Sequence, residues 1–293
     1  MAIYDYEGNT VGTVYALDGF PAGGLYDYRG DSLIDYSDYT VADYATASVP
    51  YMQGFDILGG VIFQFLAYKT TVSNKMMTIN AATGATIQSN ITSTSDHGDS
   101  ASFSHEFYDG DDYPLIYVTA DTNPAKVYVN RVTASSCTLI RTLSFPLNKT
   151  GYYAALCLNG NTAYMLGYKE DNYQTDDGGA NTVIVSKWNL SQLTDNGDGT
   201  YTPGFVSSYE RAFIYCMQGQ QFHDDLLWIA SGGENVHGYV YALDPADGSL
   251  LHTIDTNTTT ELEGLAWLSP AGMVYGLQGG TYKKVTFAEV SNT

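Results

Sequence analysis

The sequence predicts an all-β fold: a five-bladed β-propeller of four-stranded antiparallel blades, preceded by an extended N-terminal segment. Three observations predict it. A phrase occurs twice, MQGFDILGGVIFQF at 52–65 and MQGQQFHDDLLWIA at 217–230, each a Met-Gln-Gly start followed by large apolar residues. A long internal repeat in a strand-rich chain means stacked or radial repetition of one unit. Each phrase then runs into strand, polar turn and strand, KMMTINAATGATIQSNI at 75–91 and GYVYALDPADGSLLHTI at 238–254. Their turns, Asn80 to Gly84 and Asp244 to Gly248, both end in Gly, as a hairpin loop with a left-handed position requires. Composition agrees: 26 Tyr and 30 Gly against 8 Pro, with little apolar periodicity of the helical kind.

Residues 1–50 read as a Tyr/Asp-rich attachment segment. Tyr stands beside Asp at Tyr4-Asp5-Tyr6, Tyr26-Asp27-Tyr28, Asp35-Tyr36, Asp38-Tyr39 and Asp43-Tyr44, and turn residues cut the stretch into short pieces. Such a segment builds little core and orders on its own domain or on a partner. The propeller is assigned to residues 51–293. Four antiparallel strands in roughly 40 residues make one blade. Blades start near residues 52, 102, 152, 217 and 261. SASFSHEF (100–107), PLIYVTA (114–120), KVYVNRV (126–132) and TLIRTLSF (138–145) fill the second. YYAALCL (152–158), TAYMLGY (162–168) and TVIVSKWNL (182–190) belong to the third, followed by an insertion, SQLTDNGDGTYTPG (191–204). ELEGLAWL (261–268), MVYGLQG (273–279) and YKKVTFAEV (282–290) form the last, and a strand borrowed from the N-terminal region would close the ring and remove open edges. Six blades would require residues 1–50 to be a blade. A two-sheet sandwich is the other arrangement, against which the spacing of the repeated phrase argues.

Charge and cysteines narrow the function classes. The formal net charge is −20, from 12 Lys and Arg against 32 Asp and Glu. That field repels phosphate backbones and anionic membranes, so nucleic acid and membrane insertion are not expected. No apolar run of about 18 residues exists to span a bilayer. The opening MAIYDYEGNT lacks a basic n-region and an apolar h-region, so no secretory signal is expected. Cys137, Cys157 and Cys216 sit among apolar or small residues and read as buried free thiols.

Polar residues near blade starts are the first binding candidates: Gln53, His97, His105, Glu106, Gln218, His223, Glu261 and Glu263. An innermost strand lines the central channel, so these side chains can converge at one mouth and hold a sugar, an ion or a peptide end. They can equally satisfy backbone groups of neighbouring blades. Strand alternation sends Glu261 and Glu263 to one face. Two carboxylates near one bond suit glycosidic acid–base chemistry, which makes Glu263 the candidate acid or base. Asp56 and Glu106 are unspecific partners for it, and no catalytic constellation is complete. Asp195-Asn196-Gly197-Asp198-Gly199 resembles a fragment of a calcium loop but lacks the later Glu of the EF-hand, so Asp195 and Asp198 are calcium candidates without a family. No other cofactor is indicated, and no His spacing specifies zinc. Trp188, Trp228 and Trp267 fill cores or stack on sugars.

The order Gln53-Gly54, His97 to Phe103, Asp111 to Val118, Gln218-Gly219 and Glu261 to Gly264 resembles bacterial β-propeller proteins that repeat similar phrases. The resemblance covers about residues 52–290 and implies the fold but no activity. Separately, MAIYDYEGNTVG resembles the opening of tail-tip or receptor-binding proteins in phages and prophages of Gram-positive gut bacteria. That likeness implies a segment, residues 1–50, that joins other virion proteins, and a C-terminal domain that meets the host from the tail. The expectation is a tail-associated structural protein, acting outside cells, whose propeller binds a host-surface glycan. An enzyme acting on surface polysaccharide and a purely architectural virion protein are the alternatives. A homo-oligomer is compatible with this role, although no heptad or collagen repeat specifies one.

Overall fold

The computed structural model describes residues 34–49, 51–66, 75–93, 98, 100–108, 110–120, 122–170, 181–213, 217–233 and 235–289. All belong to the compact unit Ser32–Thr293. The described chain is all-β apart from one helical turn. The first strand is β1 (Ile34–Thr46), followed by β2 (Met52–Leu58), β3 (Val61–Leu66), β4 (Lys75–Asn80) and β5 (Thr86–Thr92). Next come β6 (Ala101–Phe103), β7 (Ile116–Ala120), β8 (Ala125–Thr133) and β9 (Ser136–Phe145), then α1 (Leu147–Thr150). The third group is β10 (Tyr152–Asn159), β11 (Thr162–Tyr168), β12 (Asn181–Asp195) and β13 (Thr200–Phe213). The fourth is β14 (Met217–His223), β15 (Leu226–Ser231), β16 (Tyr239–Leu243) and β17 (Leu250–Asp255). The last is β18 (Leu262–Ser269), β19 (Gly272–Leu277) and β20 (Thr281–Glu289).

Two sheets are simple four-stranded meanders, β2-β3-β4-β5 and β14-β15-β16-β17. An eight-stranded sheet, β10-β11-β12-β13-β9-β8-β7-β6, is two further meanders joined along their outer strands. The joint is short and parallel, Thr200 and Tyr201 of β13 against Thr142 and Leu143 of β9. In the remaining sheet the order is β1-β20-β19-β18, so the N-terminal region lends an outer strand. Residues 34–46 of the Tyr/Asp-rich segment therefore lie in the last sheet, antiparallel to β20. Residues 1–33 of that segment lie outside the described residues.

In each meander the inner strands are largely buried and the fourth is the most exposed. β3 is buried along its whole length, as are nearly all of β2, whereas β5 exposes most of its residues. A strand covered on both faces reads as an unbroken apolar run, and an outer strand facing water tolerates polar residues. One apolar cluster fills each gap between successive meanders. Phe63, Phe65, Ile116 and Val118 pack between β2–β5 and β6–β9. Val127, Phe145, Met165 and Trp188 fill the next gap, and Leu166, Val185, Ile229 and Tyr241 the one after it. Trp228, Val240, Leu265 and Phe287 join β14–β17 to the last sheet. Met52, Phe55, Val274 and Tyr282 then join the last sheet back to the first. Fully burying one such side chain contributes roughly 1.5–3 kcal/mol.

The polar run 191–204 departs from the expected insertion. Its residues extend β12 and begin β13, so that the hairpin supplies the third meander's fourth strand. The hairpin turns at Gly84 (φ +71°) and Gly248 (φ +73°) are left-handed as expected. Cys157 is buried and Cys137 half-buried, both free. Burial pushes the Cys137 thiol up to about 12, which keeps it protonated at neutral pH. Cys216 lies outside the described residues.

Candidate functional site

The repeated Met-Gln-Gly phrase opens β2 and β14, and its glycine explains how those strands pack. A Cβ on Gly54 would stand 2.6 Å from the Gly98 carbonyl oxygen, and one on Gly219 would stand 2.5 Å from the Gly264 Cα. Gly264 in turn has no room for a Cβ beside Phe55. First strands thus approach backbone to backbone. β2 lies against β6, β6 against β10, β10 against β14, β14 against β18 and β18 against β2. Hydrogen bonds tie several of these neighbours. The Gly54 amide donates to the Gly98 carbonyl at 2.9 Å. The Ser100 hydroxyl donates to the Leu156 carbonyl at 3.0 Å and accepts from the Leu156 amide at 2.9 Å.

Three of the candidate residues, Gln218, Glu261 and Glu263, form amide–carboxylate pairs at the starts of β14 and β18, where Gln278 ties in the start of β2. Gln218 donates its side-chain amide to Glu261 Oε1 at 2.9 Å, and both are half-buried. Gln278 donates to Glu263 Oε1 at 2.5 Å, and its own Oε1 accepts from the Met52 amide at 3.2 Å. Glu263 is buried, 1% exposed, and Gln53 is 7% exposed. The Gln53 carbonyl accepts from buried Gln64, whose Oε1 accepts the Tyr282 hydroxyl at 2.7 Å. Amide–carboxylate pairs of this kind present donors and acceptors side by side.

The other candidates lie elsewhere. His223 ends β14, at the opposite end of that strand from Gln218. Its ring stacks on Trp267, centroids 3.8 Å apart, and its Nε2 lies 3.2 Å from the Pro270 carbonyl oxygen. Burial holds the imidazole below its ordinary pKa. His105 and Glu106 follow β6 on an exposed loop, where Glu106 accepts from Arg141 at 2.5 Å and from the Tyr117 hydroxyl at 3.4 Å. His97 lies outside the described residues. Asp195 and Asp198 cap the β12–β13 turn. Asp195 Oδ1 accepts the Gly197 amide at 2.8 Å, and Asp198 Oδ1 accepts the Thr200 amide at 3.0 Å and hydroxyl at 2.7 Å. These bonds hold the Asp198 carboxyl below its ordinary range. Among the described residues no three His, Cys, Asp or Glu side chains group as metal ligands.

A polar cluster in the middle of the ring of first strands had no clear sequence signal. Asp56 accepts from the Ile57 amide at 2.8 Å, the Phe103 amide at 2.8 Å, and the Gln221 side chain. Gln221 also donates to the Ala101 carbonyl at 2.9 Å and accepts from Ser102 at 3.3 Å, so it bridges β14, β2 and β6. Burial pushes the Asp56 carboxyl up to about 7 against those three hydrogen bonds. Both carboxylate oxygens are occupied by backbone donors, which gives Asp56 a structural task.

On the side of the last sheet lies a cavity of about 440 Å³. Val41, Tyr275, Leu277, Thr281 and Lys283 line it on the sheet, and residues 256–258 cover it.

No family model matches the chain, and no curated protein matches it. Solved structures do. A Bacteroides thetaiotaomicron VPI-5482 protein of unknown function is 12% identical at TM-score 0.47, with 85% of this chain and 76% of that one covered. A PQQ-bound aldose sugar dehydrogenase from Streptomyces coelicolor is 9% identical at TM-score 0.44, covering 85% and 98%. A chain of a mitotic checkpoint complex is 13% identical at TM-score 0.36, covering 87% and 81%.

Proposed function

We propose that the chain is a five-bladed β-propeller that serves a phage tail as the module binding a host-surface glycan. The propeller reading is supported by the cyclic order in which first strands touch, β2, β6, β10, β14, β18 and again β2. It is supported also by the apolar clusters that fill successive gaps and return to the first sheet. The observation that carries the binding reading is the half-buried pairing of Glu261 with Gln218 at one end of the ring. Such pairs donate and accept at once, as recognition of sugar hydroxyls requires. Proton transfer asks for something else, a carboxyl facing a reacting atom with a second carboxyl across the bond. Glu263 is turned into the protein instead. The tail assignment rests on the sequence of residues 1–12 alone.

The purified protein, applied to a panel of bacterial cell-wall glycans, is expected to show saturable retention without release of soluble sugar. Release would put the glycoside-active alternative first. Neither retention nor release would leave the architectural reading. Absence of the protein from purified particles would remove the tail assignment while leaving the binding result intact.

A further inference from the structure

Four first strands share an irregularity at one register position. In β2, Gln53 and Gly54 stand opposite Phe65 alone, between the pairs Met52↔Leu66 and Phe55↔Gln64. In β14, Gln218 and Gly219 stand opposite Ala230, between Met217↔Ser231 and Gln220↔Ile229. In β10, Tyr153 and Ala154 stand opposite Gly167, between Tyr152↔Tyr168 and Ala155↔Leu166. In β18 the extra residue is Glu263, between Leu262↔Leu277 and Gly264↔Gly276. An extra residue on one strand is a β-bulge, which bends the strand and re-aims a side chain. The bulges align the strands, so Tyr153 takes in β10 the place that Gln53, Gln218 and Glu263 take in theirs. Tyr51 and Glu261 correspond in the same way, each one residue before the first paired residue, Met52 and Leu262.

The order of the first strands then fixes who stands beside whom. β10 lies against β14, β14 against β18 and β18 against β2. Along this end of the ring the order is therefore Tyr153, Gln218, Glu261, Tyr51, with the middle two joined at 2.9 Å. Both tyrosines have left-handed backbones, φ +52° at Tyr153 and +53° at Tyr51. The other non-glycine residues of positive φ among the described residues are all Asn or Asp. Those two types tolerate the conformation, whereas a bulky side chain is strained by it. Strain of this kind persists where the surrounding structure enforces it, and it collects at ligand sites. Tyr51 is 38% exposed. Tyr153 is half-buried, resting on the cluster between the third and fourth meanders, and its amide donates to Asn123 Oδ1 at 3.2 Å.

We infer that Tyr153 and Tyr51 are the aromatic platforms of the glycan site, one on each side of the Gln218–Glu261 pair. The inference rests on the glycan-binding function proposed above and names the residues that select its ligand. A phenol ring offers its face to the C–H face of a sugar, and the pair between the rings donates to one hydroxyl and accepts from another. A carboxyl group at the centre, in a chain of net charge −20, disfavours acidic sugars, so the glycan is a non-acidic one.

The test uses the full chain on immobilised non-acidic and acidic cell-wall polysaccharides. Tyr153→Ala and Tyr51→Ala are each expected to weaken retention on the non-acidic polysaccharide about 10-fold or more. Tyr153→Phe keeps the ring and should be retained as the parent is. Tyr153→Gly suits the positive φ, so it guards against loss of fold, and it is expected to bind as weakly as Tyr153→Ala. Tyr153→Trp is expected to shift its emission to shorter wavelength when polysaccharide binds, a shift that the parent lacks. Tyr108→Ala, on the exposed loop after β6, should bind as the parent does. Parent-like retention by folded Tyr153→Ala and Tyr51→Ala would overturn the platforms while leaving glycan binding standing. Retention on acidic polysaccharide alone would overturn the non-acidic assignment. No retention of the parent on either class would overturn the platforms together with the function on which they rest.

Discussion

Single residues decide how closely the first strands approach and how stability responds to pH. Gly219→Ala puts a Cβ 2.5 Å from backbone on β18, where no flexible side chain can yield. It is expected to cost about 3 kcal/mol in a denaturant melt. Gly60→Ala meets no atom within 4 Å and only a positive φ of +75°, so about 1–2 kcal/mol is expected. Equal costs would contradict the close approach. Asp56 gives the pH test. Its carboxyl titrates near 7 when folded, against an ordinary value of 3.8, so between those values the folded chain holds the extra proton. Stability from this group is complete below pH 3.8 and falls as pH rises to 7, by on the order of 4 kcal/mol. His223 acts oppositely: its lowered pKa makes the folded chain shed its proton first, so stability falls as pH drops below 6.5. Asp56→Asn is expected to abolish the decline between pH 4 and 7 and expose the slope of His223. An unchanged profile would contradict the role of Asp56. The sequence marked Gly54 and Gly219 through the repeated phrase, but Asp56 carried no local sign. Its donors Phe103 and Gln221 are distant in the chain, and only folding brings them together.

At the scale of elements, β1 has the most to test. It pairs with β20 from Ile34↔Glu289 to Thr46↔Thr281, across two irregularities. Tyr36 anchors it, with ring centroids 5.0 Å from Trp228 and 4.9 Å from Phe287 and its hydroxyl on Asp224 at 3.0 Å. The Tyr39 hydroxyl accepts the Asp255 amide at 2.9 Å, so the strand also ties the last sheet to β17. Tyr36→Ala is expected to destabilise by about 3 kcal/mol and to speed amide exchange along β20. Loss of stability without faster exchange in β20 would mean that β1 does not protect that edge. The hairpins Asn80–Gly84 and Asp244–Gly248 were legible because turn chemistry is local. The β12–β13 hairpin was not. Its strands run on into water beyond the core, where the polar pattern of residues 191–204 looks like a loop. Gln218 and His223 looked like neighbours of one mouth because both belong to one short strand. The strand carries them to opposite ends of it.

For the whole molecule, the cyclic contact of first strands gathers one end of β2, β14 and β18 into a single polar patch. All-β character and the repeat were legible because composition and turn residues are properties of sequence windows. The patch depends on which strand ends face each other, as Gln218 does Glu261 from 43 residues away and Gln278 does Glu263 across the β18–β19 hairpin. Hydrogen–deuterium exchange with and without a retaining neutral polysaccharide tests the account most directly. The account predicts slower exchange in 217–220, 261–264 and 277–279, with the loop 104–108 unchanged. Protection confined to that loop, or no protection on a polysaccharide that retains the protein, would contradict it.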